Sequence, residues 1–443
     1  MNELLAYLGM LVSSGWLSLL DYLAAHVLLC LVPAFVIAGY MAAMIPKEAI
    51  TRYLGPRANR AVSYPAAAVG GFILAVCSCT ILPLFAGIWK QGAGLGPAIT
   101  FLFVGPAVNI LAIAYTGAAI GFDIALARIV LSIVFGIGIG LIMARAFRSQ
   151  ELVRAQEMAD SGMFDQRARV KPAVWGMFAM LFAVLIVGTL QVDLLTNTWV
   201  RVSLPLSISG GLASVLGALN LSMQGALLIL LLLLIAPVAY LGLENVLTGF
   251  NRWTGVTIGL TAVTVLVAAP TLASGSLVVE LTGRFFGELL LLGAIGAVSA
   301  HSFERAEIAE WLWETWKFVK QIFPLLIAGV FVAGMVKVVL PAQWVQSLAG
   351  QNTIWANAIG VVFGVFMYFP TLVEVPIARM FLDLGMHRGP LLAYLLADPE
   401  LSLQSILVTG RILGRKKTAG YVVLVSVFST LAGYLFGLFM SVA

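Results

Sequence analysis

Charge is what this sequence has least of. Only 10% of its 443 residues are Asp, Glu, Lys or Arg, 61% are hydrophobic, and the mean hydropathy is +1.04. That leaves too little polar surface to cover a soluble globule and points to a polytopic membrane protein. Cysteine is almost missing too. Cys30, Cys77 and Cys79 are too few for a disulfide framework, and no Cys-x-x-Cys dithiol motif is present. The histidines, His26, His301 and His387, are scattered without metal-ligand spacing and read as interfacial residues, so neither a metal site nor a cofactor is expected. No glycine-rich phosphate loop occurs, which excludes ATP as the direct energy source. The net charge of +5 reflects Lys and Arg in loops and does not suggest nucleic acid. Met1-Asn2-Glu3 lacks the basic region of a removable signal peptide.

What the chain has instead is an internal repeat. Gly71, Pro83, Gly92, Gly96, Pro97, Pro106, Thr116, Gly117 and Gly121 fall without a gap on Gly364, Pro376, Gly385, Gly389, Pro390, Pro399, Thr409, Gly410 and Gly414, 293 positions later. Both copies are hydrophobic and both are interrupted in the middle, by Cys77-Ser78-Cys79-Thr80 in the first and Pro370-Thr371-Leu372-Val373-Glu374 in the second. Paired interruptions at matching positions of two halves point to a transporter's binding site.

Hydropathy predicts spans near 21–45, 98–118, 122–144, 173–192, 226–243, 254–272, 320–341 and 419–441, a weaker one at 285–300, and another at 390–410 that contains Asp398-Pro399-Glu400. Residues 1–20 read as an interfacial helix, and 302–320 as an amphipathic one with Trp311, Trp313 and Trp316 beside four glutamates. Charge then sets topology. The loop with Lys47, Arg52, Arg57 and Arg60 and the loop from Arg145 to Lys171 are both basic, so both belong on the cytoplasmic side. Two full crossings between them satisfy this if 66–95 is a re-entrant hairpin turning near Cys77 to Pro83. In the second copy the basic and neutral loops swap, as an inverted-topology repeat requires, which places a second hairpin near 356–385. The expected fold is all-α, with about ten transmembrane helices and two re-entrant hairpins. Its parts are a first repeat over 1–144, a cytoplasmic basic loop over 145–172, a central four-span segment over 173–300 and an inverted repeat over 301–443.

Irregular backbone at membrane depth survives only where it is buried in protein or lines a wet cavity. Gly96 and Gly389 allow close packing, Pro83, Pro97, Pro376 and Pro390 mark the hairpin arms, and Pro106 and Pro399 break the helices that follow. Cys77 and Cys79 are soft thiol ligands that converge on one atom if they sit on a turn; on a regular helix they point about 200° apart. Cys30 is a candidate third thiol. Ser78, Thr80, Asn109 and Thr371 are candidates for substrate oxygens, or equally for capping freed backbone groups. Glu374 sits at the second break where the first copy has Ile81, and Asp398 and Glu400 replace Gly105 and Ala107. Charging a carboxyl near the bilayer centre costs roughly 2.5 to 3.5 kcal/mol, so each is a proton-coupling candidate. The bland alternatives are a Glu374–Arg379 ion pair and a hydrated helix end around Pro399.

The run from Cys77 to Ile88, followed by Gly92-Ala93-Gly94-Leu95-Gly96-Pro97-Ala98, Gly105-Pro106 and Asn109, resembles the signature of a family of predicted permeases that includes the ArsP-type organoarsenical efflux proteins. Pro370 to Pro376 and Gly389-Pro390 resemble its C-terminal part. The resemblance covers roughly 20–145 and 315–440, and 173–300 adds nothing specific to it. It implies a membrane permease and points to a thiol-reactive substrate such as a trivalent organoarsenical. The resulting expectation is a multi-pass inner-membrane exporter, not an enzyme, working by alternating access. Its partners are a small-molecule substrate, the lipid bilayer and protons; a homo-oligomer is compatible with the sequence. The rivals are a permease for another small sulfur-containing or anionic solute, and a membrane-embedded thiol redox or soft-metal-handling protein.

Overall fold

The computed structural model describes residues 2–25, 31–45, 47–56, 58–74, 78–108, 110–160, 171–189, 192–203, 221–273, 278–339, 342–366 and 371–442. Its longer helices are α1 (Asn2–Ala25), α2 (Val32–Met44), α3 (Lys47–Leu54), α4 (Arg60–Leu74), α5 (Ser78–Lys90), α6 (Leu95–Ala107), α7 (Ile110–Ala119), α8 (Phe122–Ala146), α9 (Arg148–Asp160) and α10 (Pro172–Thr189). They continue with α11 (Met223–Leu243), α12 (Arg252–Ala268), α13 (Gly283–Ser302), α14 (Arg305–Val339), α15 (Ala342–Ala349), α16 (Ile354–Phe366), α17 (Thr371–Asp383), α18 (Arg388–Leu401), α19 (Leu403–Leu413) and α20 (Arg415–Val442). Among the described residues five helices are long and apolar enough to cross a membrane: α8, α11, α13, α14 and α20. The pair α18 and α19, bent by 45° at its break, adds a sixth if counted as one span.

The fold is not purely helical. Strands β1 (Thr198–Ser203), β2 (Thr271–Ala273) and β3 (Val278–Thr282) form an antiparallel sheet in the order β1-β3-β2, with Arg201 opposite Glu280. Helix α9 lies within the basic segment after α8. One further reading needs correction. The amphipathic stretch at 302–320 and the span after it are one continuous helix, α14, of 35 residues. Within the span expected at 21–45, residues 21–25 are helical in α1 and 32–44 in α2, and 26–30 lie outside the described residues.

The chain divides into two compact units, one of residues 16–45 and 169–321, the other of 1–15, 46–168 and 322–443. In the first unit α10 packs on α2 and α13, and α11 on α12. Asn251 and Thr254 form a capping box at the start of α12. Glu244, just past α11, accepts from Lys320 Nζ at 2.7 Å and from Trp316 Nε1 at 2.7 Å.

The second unit holds both copies of the repeat, and the helices repeat with them. Helices α5 and α17 begin at 78 and 371, α6 and α18 at 95 and 388, α7 and α19 at 110 and 403, α8 and α20 at 122 and 415. Each pair is 293 residues apart. The backbone caps match as well. Gly92 and Gly385, at φ 92° and 91°, end α5 and α17 in the left-handed conformation that favours glycine. The amides of Ala93 and Met386 donate back to Ile88 and Phe381 O at 3.1 and 2.9 Å.

In each copy three helices follow one path. The position of Gly96 backs onto Tyr64, while Gly71 backs onto Phe101 and Gly105, so α4 and α6 run parallel side by side. Gly360 against Pro390 and Gly364 against Asp398 set α16 and α18 the same way. The amide of Gly94 donates to Leu54 O at 2.7 Å and that of His387 to Ala349 O at 2.9 Å. The chain therefore leaves along α4, comes back along α5, and starts α6 beside the point where it left. α6 then packs antiparallel on α8, and α18 on α20, at glycine crossings. A Cβ placed on Gly140 would lie 2.6 Å from Gly96 O, and one on Gly433 2.5 Å from Gly389 O.

Candidate functional site

The two copies meet reciprocally. α5 packs against α19 and α17 against α7, while α6 meets α18 and α8 meets α20. Glu374, in the first turn of α17, is carried into this meeting place. Its Oε2 accepts from Arg128 Nη2 of α8 at 3.0 Å, with both side chains buried, 1% and 0% exposed. Two more carboxyl groups are buried on α18 on either side of Pro399. Asp398 is 1% exposed and Glu400 3%. Symmetry explains the proximity of Asp398 to Glu374. In the first copy a Cβ at Gly105 would lie 2.7 Å from Ile81 Cδ1, and these two positions become Asp398 and Glu374 in the second.

The repeat also explains the other partner. Tyr421 stands 293 residues after Arg128, and its hydroxyl donates to Glu400 Oε2 at 2.7 Å. Asp398 and Glu400 both lie within electrostatic range of Arg128 and Glu374. Several polar atoms of the cluster make no hydrogen bond among the described residues: Arg128 Nε and Nη1, Glu374 Oε1, Asp398 Oδ1, Glu400 Oε1 and Tyr394 Oη. Polar groups this deep are normally paired, and unpaired donors beside unpaired acceptors mark a cluster with more than one way to connect.

The residues singled out from the sequence divide into three groups. Glu374, Asp398 and Glu400 come together, and Glu374 is ion-paired, though not with Arg379. Arg379 instead pairs with Asp383 at 3.1 Å and donates to Ala119 O at 3.2 Å. Around Pro399 there is no hydrated helix end but a fully buried one. Thr80 is buried in the first turn of α5, which begins at Ser78, so Cys79 also lies in that turn. Thr371 opens α17 in the same way. Cys77, Asn109 and Cys30 lie outside the described residues. Pro83 and Pro376, read as marks of the hairpin arms, lie inside α5 and α17. Gly96 and Gly389 are the glycines of the helix crossings, Pro97 and Pro390 lie in the first turns of α6 and α18, and Pro106 and Pro399 lie next to or near the ends of those helices.

Arg128, Tyr421 and Tyr394 were not among the expected site residues. Arg128 carried a signal all the same. It is an ionisable residue six positions into an apolar helix, and such residues are functional by default.

Ion pairs also tie the copies together at both ends of α8. At its start Asp123 Oδ2 meets Arg388 Nη2, on the first residue of α18, at 2.7 Å. Beyond its end Glu151 of α9 accepts from the Leu95 amide, on the first residue of α6, at 3.0 Å and from Lys417 Nζ at 2.9 Å. The Arg154 guanidinium stacks 3.5 Å from the Trp89 ring centre. A cavity of about 220 Å³, lined by Ser63, Tyr64, Arg148 and Glu151 among others, opens at this second tie.

His387 caps α18, its Nδ1 accepting from the Gly389 amide at 3.2 Å. Burial, and after it the neighbouring Arg388 guanidinium, hold the imidazole below its ordinary value. Protonation removes the acceptor, so the cap's contribution is present above the unfolded value of about 6.5 and is lost as pH falls through the lower folded value. His387→Asn, which keeps a capping oxygen without a titrating group, is expected to flatten the fall in thermal stability between about pH 7 and 5. An unchanged slope would remove His387 as its source.

The chain matches the ArsP_1 family, described as predicted permease, over residues 14–438. It is also 36% identical over 424 residues to "UPF0718 protein MJ0584" of Methanocaldococcus jannaschii, an alignment that covers 96% of this chain and 95% of that protein. No solved structure matches the chain. With several apolar helices long enough to span a bilayer and a match across nearly its whole length, this multi-pass membrane protein belongs to the ArsP_1 family of predicted permeases.

Proposed function

We propose that this permease exports a small thiol-reactive solute, such as a trivalent organoarsenical, across the cell inner membrane by alternating access coupled to protons. The observation that carries the reading is the matched course of α4, α5 and α6 and of α16, α17 and α18, with three buried carboxyl groups and one guanidinium gathered beside the second set. One guanidinium balances one carboxylate. The other two carboxyl groups each need a proton or a cation to be buried at acceptable cost, which suits a site that loads and unloads protons.

The parallel course of α4 and α6, and of α16 and α18, supports two re-entrant hairpins, α4–α5 and α16–α17. The swap of basic and neutral loops supports opposite entry faces and hence an inverted repeat. The N-termini of α5 and α17 then point into the protein near mid-depth, where their free amides favour electron-rich groups. Cys77 and Cys79 flank the first of these N-termini and would capture a thiophilic centre, with Ser78, Thr80, Asn109 and Thr371 as oxygen partners. The ties at Asp123–Arg388 and Glu151–Lys417 lie at opposite ends of α8, as two alternately opened gates require.

The test is uptake of methylarsonous acid by everted vesicles with and without a proton gradient. Wild-type protein is expected to accumulate it only with the gradient, and Cys77→Ser/Cys79→Ser, present in equal amount, to fall to background. Absence of uptake by wild type sinks the arsenical substrate. Undiminished uptake by the double variant sinks the thiol site.

A further inference from the structure

We infer that Arg128 is a positioning residue that exchanges carboxylate partners, holding Glu374 in the arrangement seen here and Asp398 in a second one. This rests on the proton-coupled reading above and names the device that would carry the coupling.

The candidates for a second partner can be sorted by what already holds them. Glu400 is engaged by the Tyr421 hydroxyl at 2.7 Å, from the position that repeats Arg128. Asp398 has no such donor on Oδ1 among the described residues. Gly364, on the neighbouring helix α16, lets that helix lie close against its backbone, where an added Cβ would come 2.9 Å from the Asp398 amide nitrogen. Arg128, in electrostatic range of Asp398, offers Nε and Nη1, both buried and both without a hydrogen bond among the described residues. The titratable and charged groups in electrostatic range of Asp398 are Glu374 and Arg128, and Tyr394 stands one turn before it on the same helix.

The step balances in charge and in atoms. A proton from the medium bonds to Glu374 Oε2, and the Arg128 Nη2–H···Oε2 ion pair breaks. The freed guanidinium pairs with Asp398, whose O–H bond breaks and whose proton leaves to water on its own side. One proton enters and one leaves, so the buried cluster has the same net charge before and after the exchange. An ion pair that changes partner ends with each buried charge paired, which an ion pair that is simply broken does not.

The test is independent of the transported solute. The purified full-length protein in lipid nanodiscs is titrated by infrared difference spectroscopy, following the C=O stretch of neutral carboxyl groups in wild type, Glu374→Gln, Asp398→Asn and the double variant. Partner exchange predicts that Glu374→Gln loses the band that Asp398→Asn loses, because Arg128 then holds Asp398 as its carboxylate. The double variant loses no more than Asp398→Asn alone. If the pair is merely structural, Glu374→Gln keeps the full wild-type band, and that result overturns the inference. Arg128→Lys, which keeps the charge, is expected to retain the wild-type band; a gained band there overturns it as well. Band loss in Glu374→Gln without any methylarsonous acid uptake by wild type keeps the exchange and sinks only the substrate. Gradient-driven uptake that survives with an intact band in Glu374→Gln sinks the exchange and leaves the permease.

Discussion

Arg128→Leu is expected to destabilise the protein by about 3 to 5 kcal/mol, the cost of leaving a buried carboxylate without its cation. The magnitude follows from burial: Arg128 and Glu374 are both almost wholly buried, and the pair closes at 3.0 Å. Water cannot screen the orphaned group, and the two neighbouring carboxyl groups make the site worse for a negative charge. The partner substitution should behave differently. Glu374→Leu leaves a guanidinium with Asp398 in range, so its loss should be clearly smaller. Arg128→Leu/Glu374→Leu removes both charges at once and should recover most of the stability, because a buried ion pair replaced by apolar side chains is often neutral. Reversible unfolding in mixed detergent micelles reads all three. Equal losses for the two single variants would mean that Asp398 cannot take over, and an unrescued double variant would mean that packing, not charge, holds this site.

The second large effect belongs to the helix crossings. Gly433→Val and Gly140→Val are each expected to abolish recovery of monodisperse protein. The new Cβ would sit 2.5 Å from Gly389 O in one case and 2.6 Å from Gly96 O in the other, and both neighbours are backbone that cannot turn aside. Overpacking in a tight core typically costs about 1 to 3 kcal/mol, and backbone contact lies at the upper end or beyond. Small residues let two helix backbones approach closely enough for the van der Waals packing that helps to drive helix association in lipid. Gly138→Ala is the control, since its nearest neighbour, Phe428 Cε1, is 3.9 Å away. Size-exclusion profiles at matched expression decide the matter. A normal profile for either valine variant would mean that the crossing is looser than these distances imply.

Much of this architecture could be read beforehand because it repeats. Glycine and proline leave a mark on the sequence wherever backbone must turn or touch, so Gly96 with Gly389 pointed to close packing, and the aligned Gly92 and Gly385 fall at the two matching helix ends. The three carboxyl groups stood out because charge is so scarce around them. Arg128 stood out only as an ionisable residue in an apolar helix; which carboxyl group it would meet had no local pattern, because the ion pair spans 246 positions. The sheet was missed for a different reason. Its strands are three to six residues long and sit between apolar runs, where their alternation at Thr198–Ser203 and Val278–Thr282 is too short to compete with the spans. Pro83 and Pro376 read as marks of the hairpin arms, and each sits five residues into a helix.

The unlike residues at positions 128 and 421 have a consequence for how such a core can be assembled. Two identical half-length chains, associated about a two-fold axis, would present every side chain twice. A core built that way holds two guanidinium groups or none, and six carboxyl groups or none, with each cation confined to its own symmetric partner. Joining the halves in one polypeptide lifts that restriction, so that one half supplies a single cation and the other supplies the acids among which it chooses. The covalent link between the copies is thus what permits an odd number of each kind of group, one guanidinium and three carboxyl groups, at the centre of an otherwise even structure.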